Sequence, residues 1–354
     1  MKILIVKLSS LGDVLHTLPV VQDILQAMPN AQIDWVVEGA FAGVVRRCKG
    51  VNRIITCDLR TWRKAPFSSA TRTAWRTCKA ALQQENYDAV IDLQGLTKSA
   101  WVAWMARLAP GGKRFAMANR TDGSGYEAPT RWVADVTIRL EPHIHAVQRG
   151  REVCAQALGY ALTDFDKFNP SFGLLALVNI ASLAINNVAK NDLKPTLVFA
   201  HGTSREDKLW PVSHWVALGR RLNAHGYSIA LAHGSAVEEA RSQQIAQQLT
   251  NAVVWPRLGL EAMLDALYSS AGVIGVDSGL SHMAVALNLP HVQIYNFDTA
   301  WRTGPLLADV MAGELGATAR QVSVYAQLTP SVDAVWQAWR SVSSLSTAVP
   351  TVTA

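Results

Sequence analysis

Three short stretches hold residue types and spacings that could do chemistry, and each follows an apolar run. The first, Lys7-Leu8-Ser9-Ser10-Leu11-Gly12-Asp13, ends on a carboxylate at a tight Gly-Asp turn. The second runs His201-Gly202-Thr203-Ser204-Arg205-Glu206-Asp207-Lys208-Leu209-Trp210-Pro211. It offers Thr203, Ser204 and Lys208, a set that suits a pyrophosphate, just ahead of a helix whose first residue is Pro211. The third is Gly275-Val276-Asp277-Ser278-Gly279-Leu280-Ser281-His282. A buried strand ending at Asp277, with a helix starting within a residue or two, leaves backbone N–H groups of Ser278 and Gly279 unpaired. The positive end of the helix dipole lies there too, which suits an anion. Gly279 has no side chain to hold an anion off, and Asp277 and His282 can bond hydroxyls or phosphate. A tight turn or a polar surface loop is the plain alternative for each stretch. Two phosphate-suited loops in one half of the chain weigh against it.

The surrounding residues indicate what positions these stretches. Strands are expected at 3–6, 33–37, 53–56, 89–93 and 114–117, and again at 196–200, 228–232, 252–255, 273–276 and 292–295. Helices are expected from the first loop to Ala27, where Pro19 kinks the helix or starts it anew, and from about Thr71. Further helices are expected at 99–108, 146–158, 212–224, 236–249, 260–269 and 280–287. Strands that read as unbroken apolar runs and alternate with helices imply parallel sheets covered on both faces. The fold class is therefore α/β: two Rossmann-like domains facing each other across a cleft, with ligands at the C-terminal ends of the strands. The expected bounds are 1–165 for the first domain and 166–195 for a linker rich in Asn and Pro. A second domain covers 196–330, and 331–354 form a helix and a disordered tail. Residues 119–130 read as a long loop. Asp164-Phe165-Asp166 has the Asp-x-Asp form of some metal-dependent sugar transferases, but it lies in the linker, so the match is read as chance.

A chain of 354 residues suits two domains of ordinary size, and 49% hydrophobic with 17% charged residues is a globular composition. Residues 1–160 carry 21 basic and 13 acidic side chains, and residues 161–354 carry 12 and 14. A polyanionic partner therefore belongs with the first half. An anionic membrane surface fits better than nucleic acid, because no nucleic-acid-binding motif is present. Between Leu59 and Gln84 there are six basic residues and no acid, with Trp62, Phe67 and Trp75 interleaved. The four cysteines form no Cys-x-x-Cys pair, which suggests neither a zinc site nor a disulfide framework. The apolar core of the stretch Met1 to Lys7 is too short for a signal peptide, and the most apolar stretch, Phe172 to Ile185, is too short to span a bilayer. Walker, Gly-x-Gly-x-x-Gly, His-Glu-x-x-His and Gly-x-Ser-x-Gly motifs are absent from the places where they would act.

Four segments, 7–19 (KLSSLGDVLHTLP), 91–100 (IDLQGLTKSA), 205–211 (REDKLWP) and 276–282 (VDSGLSH), resemble the lipopolysaccharide heptosyltransferases, in the same order along the chain. The resemblance implies the GT-B fold, an ADP-heptose donor held mainly by the second domain, and the Kdo region of a lipid A precursor as acceptor on the first. It implies Asp13 as general base, with Lys208 meeting the charge of the leaving ADP. Donor contacts would come from Ser9, Ser10, Gly12, Thr203, Ser204, Lys208, Asp277, Ser278, Gly279 and His282, with Glu238 at the ribose. Arg60, Arg63, Lys64, Gln94, Lys98 and Arg120 suit an acceptor bearing carboxylates and phosphates. Transfer would invert the sugar in one displacement, with no cofactor and no metal, at the cytosolic face of a bacterial inner membrane. One turn departs from the family: Asn296-Phe297-Asp298-Thr299-Ala300-Trp301 stands where a Gly-Pro-Thr-like turn is usual. That keeps a related transferase with another donor or acceptor open. A non-catalytic nucleotide- or lipid A-binding protein is the alternative from a different class.

Overall fold

The computed structural model describes residues 1–177, 194–306 and 320–343. The chain divides into two compact units, Met1–Leu175 and Ala176–Ala354. Each unit holds a six-stranded parallel sheet among its described residues. In the first unit the strands are β1 (Lys2–Val6), β2 (Gln32–Val37), β3 (Val51–Thr56), β4 (Asn86–Asp92), β5 (Arg107–Met117) and β6 (Val136–Ile138), in the order β3-β2-β1-β4-β5-β6. The second unit has β7 (Thr196–Ala200), β8 (Ser228–Leu231), β9 (Ala252–Val254), β10 (Gly272–Val276), β11 (His291–Tyr295) and β12 (Gln321–Tyr325), in the order β12-β11-β10-β7-β8-β9. Central strands such as β1, β7 and β10 are buried along almost their whole length. Helices on both faces cover them, which is why their sequences show apolar runs instead of alternation. In both sheets the connections leave the first strand in opposite directions, so a switch point opens between β1 and β4 and between β7 and β10.

The structure corrects several expected bounds. The first helical run is two helices, Leu11–Thr17 and Pro19–Ala27. Pro19 takes the first helical position, where its missing N–H costs nothing. The helix expected at 99–108 is Thr97–Met105, and Arg107 already belongs to β5. β5 pairs with β4 on both sides of an irregularity, Tyr87↔Leu108 and then Ala89↔Lys113, so residues 109–112 loop out between two paired segments. Neither β6 nor β12 was expected. Each is a short edge strand whose pairing, Phe115↔Val136 and Val292↔Val322, is made over a long sequence separation.

The unit boundary falls after Leu175, ten residues beyond the expected 165. The helix Asp164–Phe168 and residues 173–175 belong to the first unit. Lys49 N–H donates to Gly173 O (2.8 Å) and Leu175 N–H to Arg47 O (2.8 Å). The last helix, Val332–Ser343, is no appendage: Val335, Trp336, Trp339 and Val342 sit in the second unit's core beside Trp215 and Val292. The expected tail at 344–354 and most of the 166–195 linker, including Asn186-Asn187, lie outside the described residues. No helix among the described residues is long and apolar enough to cross a membrane. All four cysteines are buried and free.

Candidate functional site

Each unit gathers polar side chains at its own switch point. In the first, the loop after β1 meets the loop after β4. Gln94 Oε1 accepts from the backbone N–H groups of Leu8 and Ser9, both at 3.1 Å. Lys7 Nζ donates to Leu93 O at 2.9 Å. Ser10 caps the helix Leu11–Thr17, and Asp13 Oδ2 reaches back to Ser10 N (3.2 Å) and Ser10 Oγ (2.9 Å). Asp13 Oδ1 faces two cations, Lys7 Nζ at 3.7 Å and Arg149 Nη2 at 3.6 Å. Both cations are nearly buried, whereas the Asp13 side chain keeps 36% of its surface in solvent. Burial pushes the Asp13 carboxyl up, but Lys7, Arg149 and the Ser10 hydrogen bonds outweigh it and hold the group below the usual carboxylate value. Asp13 is therefore ionised at neutral pH and open to a ligand. Burial brings the Lys7 ammonium down to about 8, against the opposing pull of Asp13 and Asp92.

Beside Asp13 lies a cationic group. Ser9 Oγ accepts from Arg60 Nη2 (3.0 Å) and Lys98 Nζ (3.3 Å), and both cations also reach Glu38 Oε1 at 3.3 Å. Of the expected acceptor residues, the structure thus joins Arg60, Lys98 and Gln94 around Ser9. Arg63 and Lys64 are exposed just beyond Arg60, and Arg120 is exposed on the loop after β5. Among the described residues none of these three has a side-chain contact to the Ser9 group. Ser9, Ser10 and Gly12, expected at the donor, belong to this unit. The hydroxyl of Ser9 is engaged by Arg60 and Lys98, and that of Ser10 by Asp13. Three participants, Lys7, Glu38 and Arg149, were not singled out from the sequence. A lysine directly after the apolar run Ile3–Val6 was a usable signal for the first. Nothing local marks the other two.

Asp92, at the end of β4, fixes the second of these loops. Its Oδ1 accepts from Gln94 N (2.9 Å) and Gly95 N (3.2 Å), and its Oδ2 accepts from Ser99 Oγ (2.9 Å). Burial pushes this carboxyl up to about 6. A folded-state value above the unfolded one means stability that is full at low pH and lost as pH rises through about 6. Asn at this position keeps the Oδ1 contacts and can donate to Ser99 Oγ, leaving that hydroxyl to donate to Leu96 O. We expect Asp92→Asn to stabilise the protein at pH 7 by up to about 3 kcal/mol. The gain should shrink as pH falls from 7 to 4. Thermal unfolding across that range checks it, and a pH-independent difference from wild type would contradict the buried-charge account.

In the second unit, Asp277 ends the β10 strand run and Ser278 caps the helix Gly279–Ala286, its side chain accepting from Ser281 N. Gly275 lets that helix start settle on the sheet, since a Cβ there would lie 2.4 Å from Ser281 Oγ. Asp277 is buried and both its oxygens are engaged. Oδ2 takes Lys208 Nζ at 2.6 Å, while Oδ1 takes His282 Nε2 at 3.3 Å and Thr303 Oγ1 at 3.5 Å. Burial alone would raise its carboxyl, yet His282 and Lys208 hold it far below the usual carboxylate range. Thr203 Oγ1 donates to Asp277 O at 3.1 Å. The structure therefore brings Thr203, Lys208, Asp277, Ser278, Gly279 and His282 together at the β7/β10 switch point. Asp277 was expected to bond a sugar, and here it first positions Lys208 and His282. Ser204 is exposed on the same loop. Glu238 comes next to that loop as well: its Oε2 accepts from Gly234 N (2.6 Å), and a Cβ on Gly202 would lie 2.5 Å from its Oε1.

The turn at 296–301 has a role here that its sequence did not announce. Asn296 Nδ2 donates to Asp207 O and Leu209 O, both at 3.0 Å, and so clasps the backbone on either side of Lys208. Thr303, just after the turn, links Tyr295 OH (3.2 Å) to Asp277. Asp298 and Phe297 are exposed, and the Arg205 guanidinium lies 5.9 Å from the Phe297 ring.

Chemically, the second unit's group sets one lysine, one hydroxyl and a helix N-terminus around Asp277, itself a carboxylate, an arrangement with the elements that an anion would use. The first unit's group offers an ionised carboxylate flanked by cations. Residues 75–326 match the family model described as glycosyltransferase family 9 (heptosyltransferase). Over 299 residues the chain is 39% identical to lipopolysaccharide heptosyltransferase 1 of Escherichia coli K12, covering 83% of this chain and 88% of that protein. Among solved structures it is similar to E. coli heptosyltransferase WaaC with ADP, at 32% identity and a TM-score of 0.78, covering 95% of this chain and 98% of that one. The same enzyme with ADP-2-deoxy-2-fluoro heptose aligns at 31% identity and a TM-score of 0.73, with the same coverage.

Proposed function

The chain belongs to glycosyltransferase family 9, the heptosyltransferases, and on that footing we propose that it transfers L-glycero-D-manno-heptose from ADP-heptose to the Kdo region of lipid A. This is a step of lipopolysaccharide inner-core assembly. The observation that carries the donor assignment is the convergence of Lys208, Thr203 and the Ser278-Gly279 helix start on the β7/β10 switch point. A diphosphate laid there meets a cation and unpaired backbone N–H groups, so the charge that develops on departing ADP is met by the protein without a metal. Glu238, beside Gly202, is placed to bond the ribose.

Asp13 acts as the general base. It takes the proton of the acceptor hydroxyl as that oxygen bonds to the anomeric carbon and the bond from that carbon to the phosphate oxygen breaks. One displacement inverts the sugar and releases ADP. Asp13 is ionised across the working pH range, so it is ready as a base without prior deprotonation. Arg60 and Lys98 at Ser9, with Arg63, Lys64 and Arg120 nearby in sequence or on the same unit, receive the acceptor's carboxylates and phosphates. Most of these cations are exposed or half-exposed, so their hold on the acceptor is screened by salt. We expect KM for the acceptor to rise several-fold between about 50 and 300 mM NaCl, with KM for ADP-heptose moving less. A salt-independent acceptor KM would remove the electrostatic account. The protein works as a peripheral protein on the cytosolic face of the inner membrane.

The direct test is mass spectrometry of a Kdo-bearing lipid A precursor incubated with ADP-heptose and the protein, with and without EDTA. A gain of one heptose in both samples is expected. No gain, with ADP still bound, would move the assignment to another nucleotide sugar. Loss of transfer with EDTA alone would overturn the metal-free scheme.

A further inference from the structure

The geometry points to an anionic lipid surface as the partner of one face of the first unit, formed by the helices Ser69–Leu82, Thr97–Met105 and Thr130–Val133. Half of the twelve tryptophans are buried, but this face exposes three of them: Trp101 is 44% exposed, Trp104 61% and Trp132 81%. Trp101 and Trp104 are three residues apart on one helix and so share a side of it. The short helix with Trp132 packs against that helix. Trp101 stacks on Trp75 of the first helix, ring centres 4.4 Å apart, and Trp62 meets Trp75 edge-on at 5.8 Å. On the same helix as Trp75, the exposed Arg72, Arg76 and Lys79 recur at spacings of three and four. The aromatic rings are thus bordered by a cationic stripe.

The three helices themselves carry charge of one sign, while two exposed acids border them: Glu127, which accepts from Thr97 N–H at 2.7 Å, and Asp135, just after the third helix. Residues 59–84, 93–121 and 128–134, which supply all three helices, contain no aspartate or glutamate. A face that exposes large indole rings to water would be costly to leave bare, and Arg72, Arg76 and Lys79, on a helix with no acidic residue, repel one another. An anionic bilayer answers both. Tryptophan rings rest at the headgroup level, and each lysine or arginine near the surface adds to the attraction. The face is also continuous with the proposed acceptor group. Lys98, which reaches Ser9, begins the helix whose next two turns present Trp101 and Trp104. Docking there would hold the Ser9–Asp13 region beside the lipid surface from which a lipid-anchored sugar extends. That benefit rests on the proposed acceptor, whereas the docking stands on the surface chemistry alone.

Flotation of the full chain with vesicles separates these claims. Vesicles of 3:1 phosphatidylethanolamine:phosphatidylglycerol, free of any acceptor, should carry the wild type, and phosphatidylcholine vesicles should not. Trp104→Ser/Trp132→Ser, which changes two of the most exposed rings, should cut partitioning by about tenfold or more. Arg72→Glu/Arg76→Glu/Lys79→Glu should do the same. Both variants should keep the wild-type melting temperature and ADP affinity. They should also keep turnover of a deacylated, soluble acceptor, while losing it on vesicle-embedded acceptor. Wild-type failure to float with anionic vesicles would overturn the proposal, as would unchanged flotation of the tryptophan variant. So would concentration-dependent dimerisation that the tryptophan variant abolishes, which would give the face to a second copy of the chain. Absence of transfer on every acceptor, with flotation intact, would instead count against the proposed function.

Discussion

Asp13→Asn is expected to lower kcat by about a thousandfold while leaving the affinity for ADP within about twofold of wild type, because general-base assistance is worth about 10²–10⁴. Asn is the right substitution. It can still accept from Ser10 N–H and Ser10 Oγ–H, so the helix start at Leu11 keeps its cap. What it cannot do is take a proton or balance Lys7 and Arg149. Without the carboxylate, Lys7 loses its nearest anion, and its ammonium should fall further below the present value of about 8. The unfolding temperature is therefore expected to drop modestly alongside the rate. Single-turnover transfer and ADP titration, read on the same preparation, separate the two effects. A variant within tenfold of wild-type kcat would remove Asp13 from the role of base, and parallel loss of ADP binding would make its role structural.

Lys208→Met is the second large effect. In the free protein, Lys208 is held at 2.6 Å by Asp277, which also holds His282. Methionine keeps the stem's volume but removes the cation, leaving a buried carboxylate with His282 and Thr303 as its remaining side-chain partners. The loss at the leaving group is expected to cost about 10²–10³ in kcat, on the scale of removing one preorganised charge-stabilising contact. Unlike Asp13→Asn, it should also weaken ADP binding, since the lysine meets the diphosphate before and after transfer. The contrast is the diagnostic result: ADP affinity unchanged in one variant and reduced in the other. Isothermal titration with ADP and turnover on a soluble acceptor measure both, and unaltered ADP affinity in Lys208→Met would take the lysine out of the donor site.

Much of the architecture follows from the sequence because its signals are local. An apolar run long enough for a buried strand, a capping serine at 278 and a proline at 211 act within a few residues, so strand–helix alternation could be read directly. The loops that must lie at the carboxyl ends of β1, β7 and β10 follow from that alternation. Thr203, Ser204 and Lys208 were legible as a phosphate-suited set because they lie within six residues of one loop, whereas the ion pair between Lys208 and Asp277 was not, because it depends on β7 and β10 being neighbours in the sheet. Edge strands β6 and β12 escaped because neither reads as an apolar run: β6 is Val136-Thr137-Ile138, and in β12 the polar Gln321, Ser323 and Tyr325 alternate with Val322 and Val324, as suits a strand with one open edge.

The tertiary structure decided the charges. Arg149 and Asp13 lie far apart in the chain, and only the packing of the helix Ala146–Leu158 against the helix Leu11–Thr17 sets the guanidinium beside the carboxylate. The depressed affinity of Asp13 for protons, the raised one of Asp92 and the engagement of Asp277 by Lys208 are sums over neighbours and burial, which no local pattern encodes. The same holds for the tryptophans. Their number is fixed by the sequence, but whether a ring at 101, 104 or 132 faces core or water depends on which side of its helix the sheet lies. By itself, then, the sequence determined which groups could act and at which strand ends they stand. The fold determined which carboxylate remains open to a ligand, which one serves to position its neighbours, and which aromatic face is left to meet a partner, because those properties arise from contacts between residues distant in the chain.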